Sequence, residues 1–96
     1  MFMSQENGKN PFHVGKSYFV RTVTYHLVGT VKEIKGDFIV FKEKTISWIA
    51  DTERFMAAIN EGSLREVEPV DVGGGVNMNS ITDYFEWVHA LPRTQI

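Results

Sequence analysis

The stretch NPFHVGKS, residues 10–17, ends in Gly15-Lys16-Ser17, the residue types that close a phosphate-binding loop. Such a loop needs a further glycine five positions before Gly15, because its backbone amides must wrap closely around the phosphates. Asn10 stands there, and the next residue, Pro11, has no N–H to offer. A helix should also follow Ser17 and aim its N-terminus at the phosphates, whereas Tyr18-Phe19-Val20 reads as a strand. Nucleotide hydrolysis is not expected.

The other chemistry-bearing residues are scattered. His13, His26 and His89 have neither the i,i+4 helical spacing nor the His-x-His strand spacing that builds a metal site. With no cysteine, the chain has no thiolate zinc site, thiol nucleophile or disulfide framework. Ser47 and Ser80 lack a Gly-x-Ser-x-Gly setting, and no carboxylate pair can be placed across a cleft. Gly73-Gly74-Gly75 has no basic neighbour or following helix with which to hold an anion, so it reads as a flexible loop. No catalytic, metal-binding or cofactor-binding residue is assigned, and the expectation is a protein that is not an enzyme.

The elements that would position any site are mostly strands. YFVRTVTYHLVGTVKEI is dense in the β-branched and aromatic types that suit a half-buried pleated surface, and it is too long for one flat strand; Gly29 is the natural bend. Lys35-Gly36-Asp37 signals a hairpin turn before the strand DFIVFKE, and TISWIA forms the next strand. Asp51 or Thr52 can cap a helix over residues 52–61, with Phe55, Ala58 and Ile59 at helical spacing and Gly62 at the C-terminal stop. SLREVEPV reads as an edge strand or strand terminus because it contains Pro69, and VNMNSITDYFEWVHA fits a strand or a short helix, the alternating parity favouring a strand. Residues 1–16 form an arm, 17–88 a single domain, and 89–96 a tail. Strands this short and curved close most easily into a small barrel.

A chain of 96 residues is one domain, and 43% hydrophobic content suits a globular one. No apolar run approaches membrane-spanning length and no secretory leader is visible, so the expected setting is a soluble protein of the cytoplasm, away from membranes. The net charge of −2 argues against strong general attraction to nucleic acid. Its distribution is uneven. Residues 9–44 carry seven Lys/Arg against three acids, and residues 51–71 carry six acids against two arginines. One copy's basic half can therefore meet another's acidic segment.

HLVGTVKEIKGDFIVFKEKTISWI resembles the first motif of the Sm-like small-barrel family, with Gly29 at the strand bend and Asp37 in the turn. VNMNSITDYFEW is similar to that family's closing strand through Val76, Met78 and Ile81. The resemblance implies a mainly β fold, a small, strongly bent barrel of about five strands, here with one inserted short helix. It also implies a habit of forming rings. The asparagine of the family's RNA-binding turn is missing, with Phe41 and Lys42 in its region, and Asn79-Ser80 replaces the closing Arg-Gly. The segments SWIADT.RF and HALPR are also similar to uncharacterised small phage and mobile-element proteins, a likeness that implies no function.

The expected role is a structural interaction module that self-assembles and docks a protein partner. The interface or its supporting core is assigned to Trp48, Phe55, Tyr84 and Trp87, with Glu66 and Glu68 as its charges and HALPR as a docking segment. The alternative is a single-stranded RNA binder using Lys32, Lys35 and Lys42 with Tyr25 and Phe41 as stacking platforms.

Overall fold

The computed structural model describes residues 10–51 and 55–96. The N-cap expected at Thr52, and the remaining residues at 1–9 and 52–54, lie outside the described residues. Among the described residues there are seven antiparallel strands: β1 (Ser17–Thr22), β2 (His26–Lys35), β3 (Phe38–Phe41), β4 (Ile46–Asp51), β5 (Arg65–Val70), β6 (Gly74–Asn77) and β7 (Ile81–Glu86). One helix, α1 (Phe55–Glu61), lies between β4 and β5, and a 3-10 turn at Met78–Ser80 precedes β7.

Two of these strands were not anticipated. The long run beginning at Tyr18 does not merely bend; it reverses. Thr22 Oγ1 accepts from the N–H groups of Thr24 and Tyr25 and donates to the Tyr25 carbonyl, closing a turn without Gly or Pro. β1 and β2 then pair from Ser17–Thr30 to Arg21–His26. Gly74 and Gly75, expected in a loop, open β6 opposite Phe41 and Val40. The 3-10 turn separates β6 from β7, so the single closing strand becomes two.

The sheet does not close. Its main path runs β5-β4-β2-β1-β7, with β3 and β6 continuing from the second half of β2. β3 and β4 run successively along one edge of β2, interrupted at residues 42–45; β5 and β6 run back along them, interrupted at 71–73. β2 therefore belongs to two halves. Residues 26–30 lie in a wide half with β1, β4, β5 and β7, and residues 31–35 lie in a narrow half with β3 and β6. β5 and β7 end the wide half on opposite sides and pair with no common strand, which corrects the closed five-stranded barrel.

Gly29 sits at the crossover, as the sequence suggested. A side chain there would meet the Phe41 ring at 2.8 Å, so glycine lets the folded-over narrow half pack directly on β2. A register shift between Val31 and Glu33 completes the bend.

Two apolar cores result. Tyr18, Val20, Leu27 and Ile46 from the wide half meet Val31, Ile39, Phe41 and Val76 between the halves. Phe12 joins them, making edge contact with Tyr18 at 5.0 Å, so the described part of the N-terminal arm is anchored rather than free. On the opposite face of the wide half, Phe19, Val28, Ile49, Val67 and Trp87 are buried beneath Phe55, Ile59, Leu64 and Leu91. The inserted helix thus covers a second face of the sheet. Gly62, with φ 75°, ends it as expected: its N–H reaches the Ala58 carbonyl while that of Ser63 reaches Ala57.

The tail lies on this covered face. Ser47 Oγ donates to the Pro92 carbonyl, and Trp87 Nε1 donates to Ala90 at 3.0 Å. His89 Nε2 lies 2.9 Å from the Ile59 carbonyl near the end of α1. The Arg93 guanidinium donates to the carbonyls of Ile46 at 2.6 Å and Val70 at 3.3 Å, and to Asp71 at 3.1 Å. Those carbonyls lie where the ladders break, and Arg93 supplies the donors the missing strand residues would have provided. On the other side of the break Thr45 Oγ1 accepts from Thr30 N–H. HALPR therefore docks within its own chain.

Candidate functional site

The residues singled out from the sequence fall into three places. Trp48, Glu66 and Glu68 lie together, with Tyr25, at the end of the wide half where β2 has peeled away and β4–β5 continue. Trp48 is directly opposite Glu68 in the β4–β5 register and opposite Leu27 in the β2–β4 register. Tyr25 stands two residues before Leu27, on the same face of the sheet. The Tyr25 and Trp48 rings meet edge to face with centroids 4.5 Å apart. Ala50 continues this wall, and Gln95 and Ile96 form a rim, with Ile96 exchanging two backbone hydrogen bonds with Val67. The result is a concave site of about 450 Å³.

Glu66 and Glu68 are exposed and join no ion pair among the described residues. Glu66 has a left-handed backbone, φ 50°, inside β5. That conformation costs a non-glycine residue about 1–2 kcal/mol. Among the described residues no Lys or Arg lines the site, and His26 is a further titratable member. Burial holds the His26 ring below its ordinary pKa, and the Arg21 charge adds to the shift. His26 is therefore neutral at neutral pH.

Phe55 and Trp87 belong to the covered face. Trp87 is buried and stacks on Phe19 at 6.0 Å, so it supports the core and presents no surface. Phe55 packs on Phe85 and under the Arg21 guanidinium, 4.0 Å from the ring centre. Arg21 also grips Asp83 in a two-pronged pair at 2.7 and 2.5 Å. These hydrogen bonds hold the Asp83 carboxyl below its usual pKa and the Arg21 pKa above its own. His26, Arg21 and Asp83 form a row across β2, β1 and β7.

Tyr84 lies at the opposite edge, 40% exposed, against Phe12 at 4.9 Å. It lines a second concavity, of about 700 Å³, with Ile34, Asp37, Met78 and Asp83. The structure thus does not unite Tyr84 with Trp48.

The alternative constellation is also divided. Lys32, Lys35 and Lys42 are exposed on the narrow half, but Phe41 is only 1% exposed and holds the inner core beneath Gly29. A ring buried there has no face for a base. Tyr25 faces Trp48 at the acidic end. Around Gly15-Lys16-Ser17, the Lys16 side chain pairs with Glu86 at 3.6 Å and Ser17 Oγ bonds Thr30 Oγ1 at 2.7 Å, in a strand with no helix after it. Among the described residues no helix is long and apolar enough to cross a membrane, and no group of three or more His, Asp or Glu side chains is placed to share a metal ion.

No family model, curated protein or solved structure matches the chain.

Tyr25, assigned from the sequence to the nucleic-acid alternative, stands beside Trp48. Its signal was available only through the Thr22-x-x-Tyr25 turn, which brings it beside Leu27 and hence Trp48.

Proposed function

We propose that the chain is a non-enzymatic interaction module of Sm-like character, related to phages or mobile elements, that assembles into a ring-like homo-oligomer and docks a further protein. The observation that carries this reading is an uneven spread of charge: the narrow half is only net basic, because Glu33, Asp37 and Glu43 are exposed there among the lysines. Glu66 and Glu68 are exposed on β5, an edge strand of the wide half, while Lys32, Lys35, Lys42 and Lys44 are exposed on the narrow half. None of the six joins an ion pair within the chain among the described residues. Unlike charges on different surfaces favour a heterologous contact, which closes into a ring when the rotation between copies permits. The Sm-like reading draws on the bend at Gly29 and on Asp37 in the β2–β3 turn.

The serine hydroxyls fit a structural role: Ser17 bonds Thr30, Ser47 bonds Pro92, and Ser80 bonds Asn77. Single-stranded RNA binding retains the exposed lysines but loses Phe41 as a platform, so it is the weaker reading.

Native mass spectrometry on protein purified without nuclease tests the proposal. A defined oligomer without added mass is expected. Glu66→Lys with Glu68→Lys should dissociate it, and mixing that variant with Lys32→Glu/Lys35→Glu protein should restore hetero-assembly. A monomer at every concentration would overturn the proposal, and heterogeneous added mass lost at high salt would favour RNA binding.

A further inference from the structure

We infer that the cavity walled by Tyr25, Trp48, Glu66 and Glu68 is a receptor for an alkylammonium group, and that its occupant is Lys35 from the β2–β3 hairpin of a neighbouring copy. The inference rests on the assembly reading for the source of the cation, and on the cavity itself for the cation.

The cavity offers two complementary attractions. Indole and phenol rings carry negative charge on their faces, so a cation with an aliphatic stem gains both apolar contact and electrostatic attraction there. The edge-to-face contact of Tyr25 and Trp48 sets their planes 81° apart, as two walls of a corner rather than a closed stack. Glu68 stands directly across from Trp48, within reach of a charge lying over its ring. Glu66 lines the same space from a strained backbone. Neither carboxylate has an ion-pair partner among the described residues, and the neutral His26 does not oppose an incoming cation. A volume of about 450 Å³ is in the range of small-ligand sites and ample for one lysine side chain.

The proposed donor is Lys35, in an exposed turn of the narrow half. Lys35, Gly36, Asp37 and Phe38 are four consecutive exposed residues at a tight turn. Lys35 ends β2 there, beyond the bend that folds the narrow half over the wide one. It lies in the opposite half of the molecule from the acidic cavity, so the contact is head to tail and repeats from copy to copy.

Two measurements separate the site from its source. In the first, the full chain is titrated with Nα-acetyl-lysine methylamide, with the norleucine analogue as a neutral control, while NMR follows the Trp48 indole N–H. Saturable shifts at Trp48, Tyr25 and Glu68 with the lysine compound alone are expected, weakened about fivefold or more by Glu68→Gln. Equal response to both compounds, or none, overturns the cation site whatever the oligomeric state. In the second, Lys35→Met keeps the stem and removes the charge. It should dissociate the assembly, as should millimolar lysine derivative added to the unaltered protein. An assembly indifferent to Lys35→Met, in a protein whose cavity still binds the free derivative, overturns the second copy's Lys35 as the occupant. Trp48→Phe, a small change that preserves an aromatic core contact, should weaken the derivative without unfolding the chain.

Discussion

The two halves of the sheet share β2 but are built differently. The wide half is apolar on both faces, and consecutive residues such as Tyr18, Phe19 and Val20, or Leu27 and Val28, are buried in it. Its outer face is covered by α1 and the tail. In the narrow half, β3 buries Ile39 and Phe41 but exposes Phe38, and Lys32, Glu33 and Lys35 of β2 face solvent. The difference teaches what the inserted helix is for. A sheet open at both edges cannot exclude water by closure, so the wide half gains a second layer, while the narrow half keeps a bare face available for contact.

Removing the centre of the second layer should have the largest effect. Trp87 joins Phe19 beneath the tail and its indole holds Ala90. Trp87→Ala should lower stability by about 3–5 kcal/mol, the range for deleting a large buried ring. Denaturant unfolding gives the total, and hydrogen exchange locates it. Amides of α1, β5 and the tail should exchange sooner than those of β3. Uniform acceleration would mean that the two halves unfold as one unit and the comparison has no energetic content.

Arg93 makes a narrower test of how the halves are joined. Its guanidinium serves carbonyls at the break between the two parts of the ladder, and Arg93→Ala leaves those groups without that donor. A loss of about 2–3 kcal/mol is expected in the same unfolding assay, since hydrogen bonds from a charged donor contribute more than neutral ones. Arg93→Lys should recover only part of it, because an ammonium cannot fork between Ile46 and Val70 in the same plane. Gly29→Ala probes the same junction from inside. The added methyl would meet Phe41 and should cost about 1–3 kcal/mol through overpacking.

The sequence disclosed what local chemistry determines. The Lys35-Gly36-Asp37 turn, the strand after it, the helix with its Gly62 stop and the edge character imposed by Pro69 all follow from residue type at a few adjacent positions. The reversal at Thr22–Tyr25 was hidden because threonine and tyrosine are also good strand residues, and the turn depends on where one hydroxyl points. β6 was hidden because its first two residues are glycines, whose strand state is imposed by β3. The roles of Ser47 and Arg93 depend on contacts 45 and 47 residues away along the chain, respectively. The candidate site divides the same way. Trp48, Glu66 and Glu68 were legible as bulky or charged members of neighbouring strands, whereas the burial of Phe41 depends on the folded-over narrow half and that of Trp87 on the second layer.

The smallest expected effect concerns the row His26–Arg21–Asp83, which lies at the border of the covered face, and it carries a definite sign. The folded pKa of Asp83 is depressed, so its pairing with Arg21 adds stability above the unfolded carboxyl value near 3.9 and loses it as pH falls through the folded value. His26 is also depressed, but as a base it behaves differently: the fold prefers the neutral ring. Below the unfolded value near 6.5 the unfolded chain takes up the proton more readily, so His26 too makes acidification destabilising, and it acts first. The Arg21 and Asp83 side chains are 30% and 36% exposed, which limits the pair to about 1 kcal/mol or less. The difference in urea midpoint between the unaltered protein and His26→Gln should change mainly between about pH 7 and 5. The difference against Asp83→Asn should change mainly below about pH 4, as the unaltered carboxylate is protonated. If both differences were flat with pH, the row would be packing without electrostatic consequence, and α1 would be held over the wide half by Phe55 and its apolar neighbours alone.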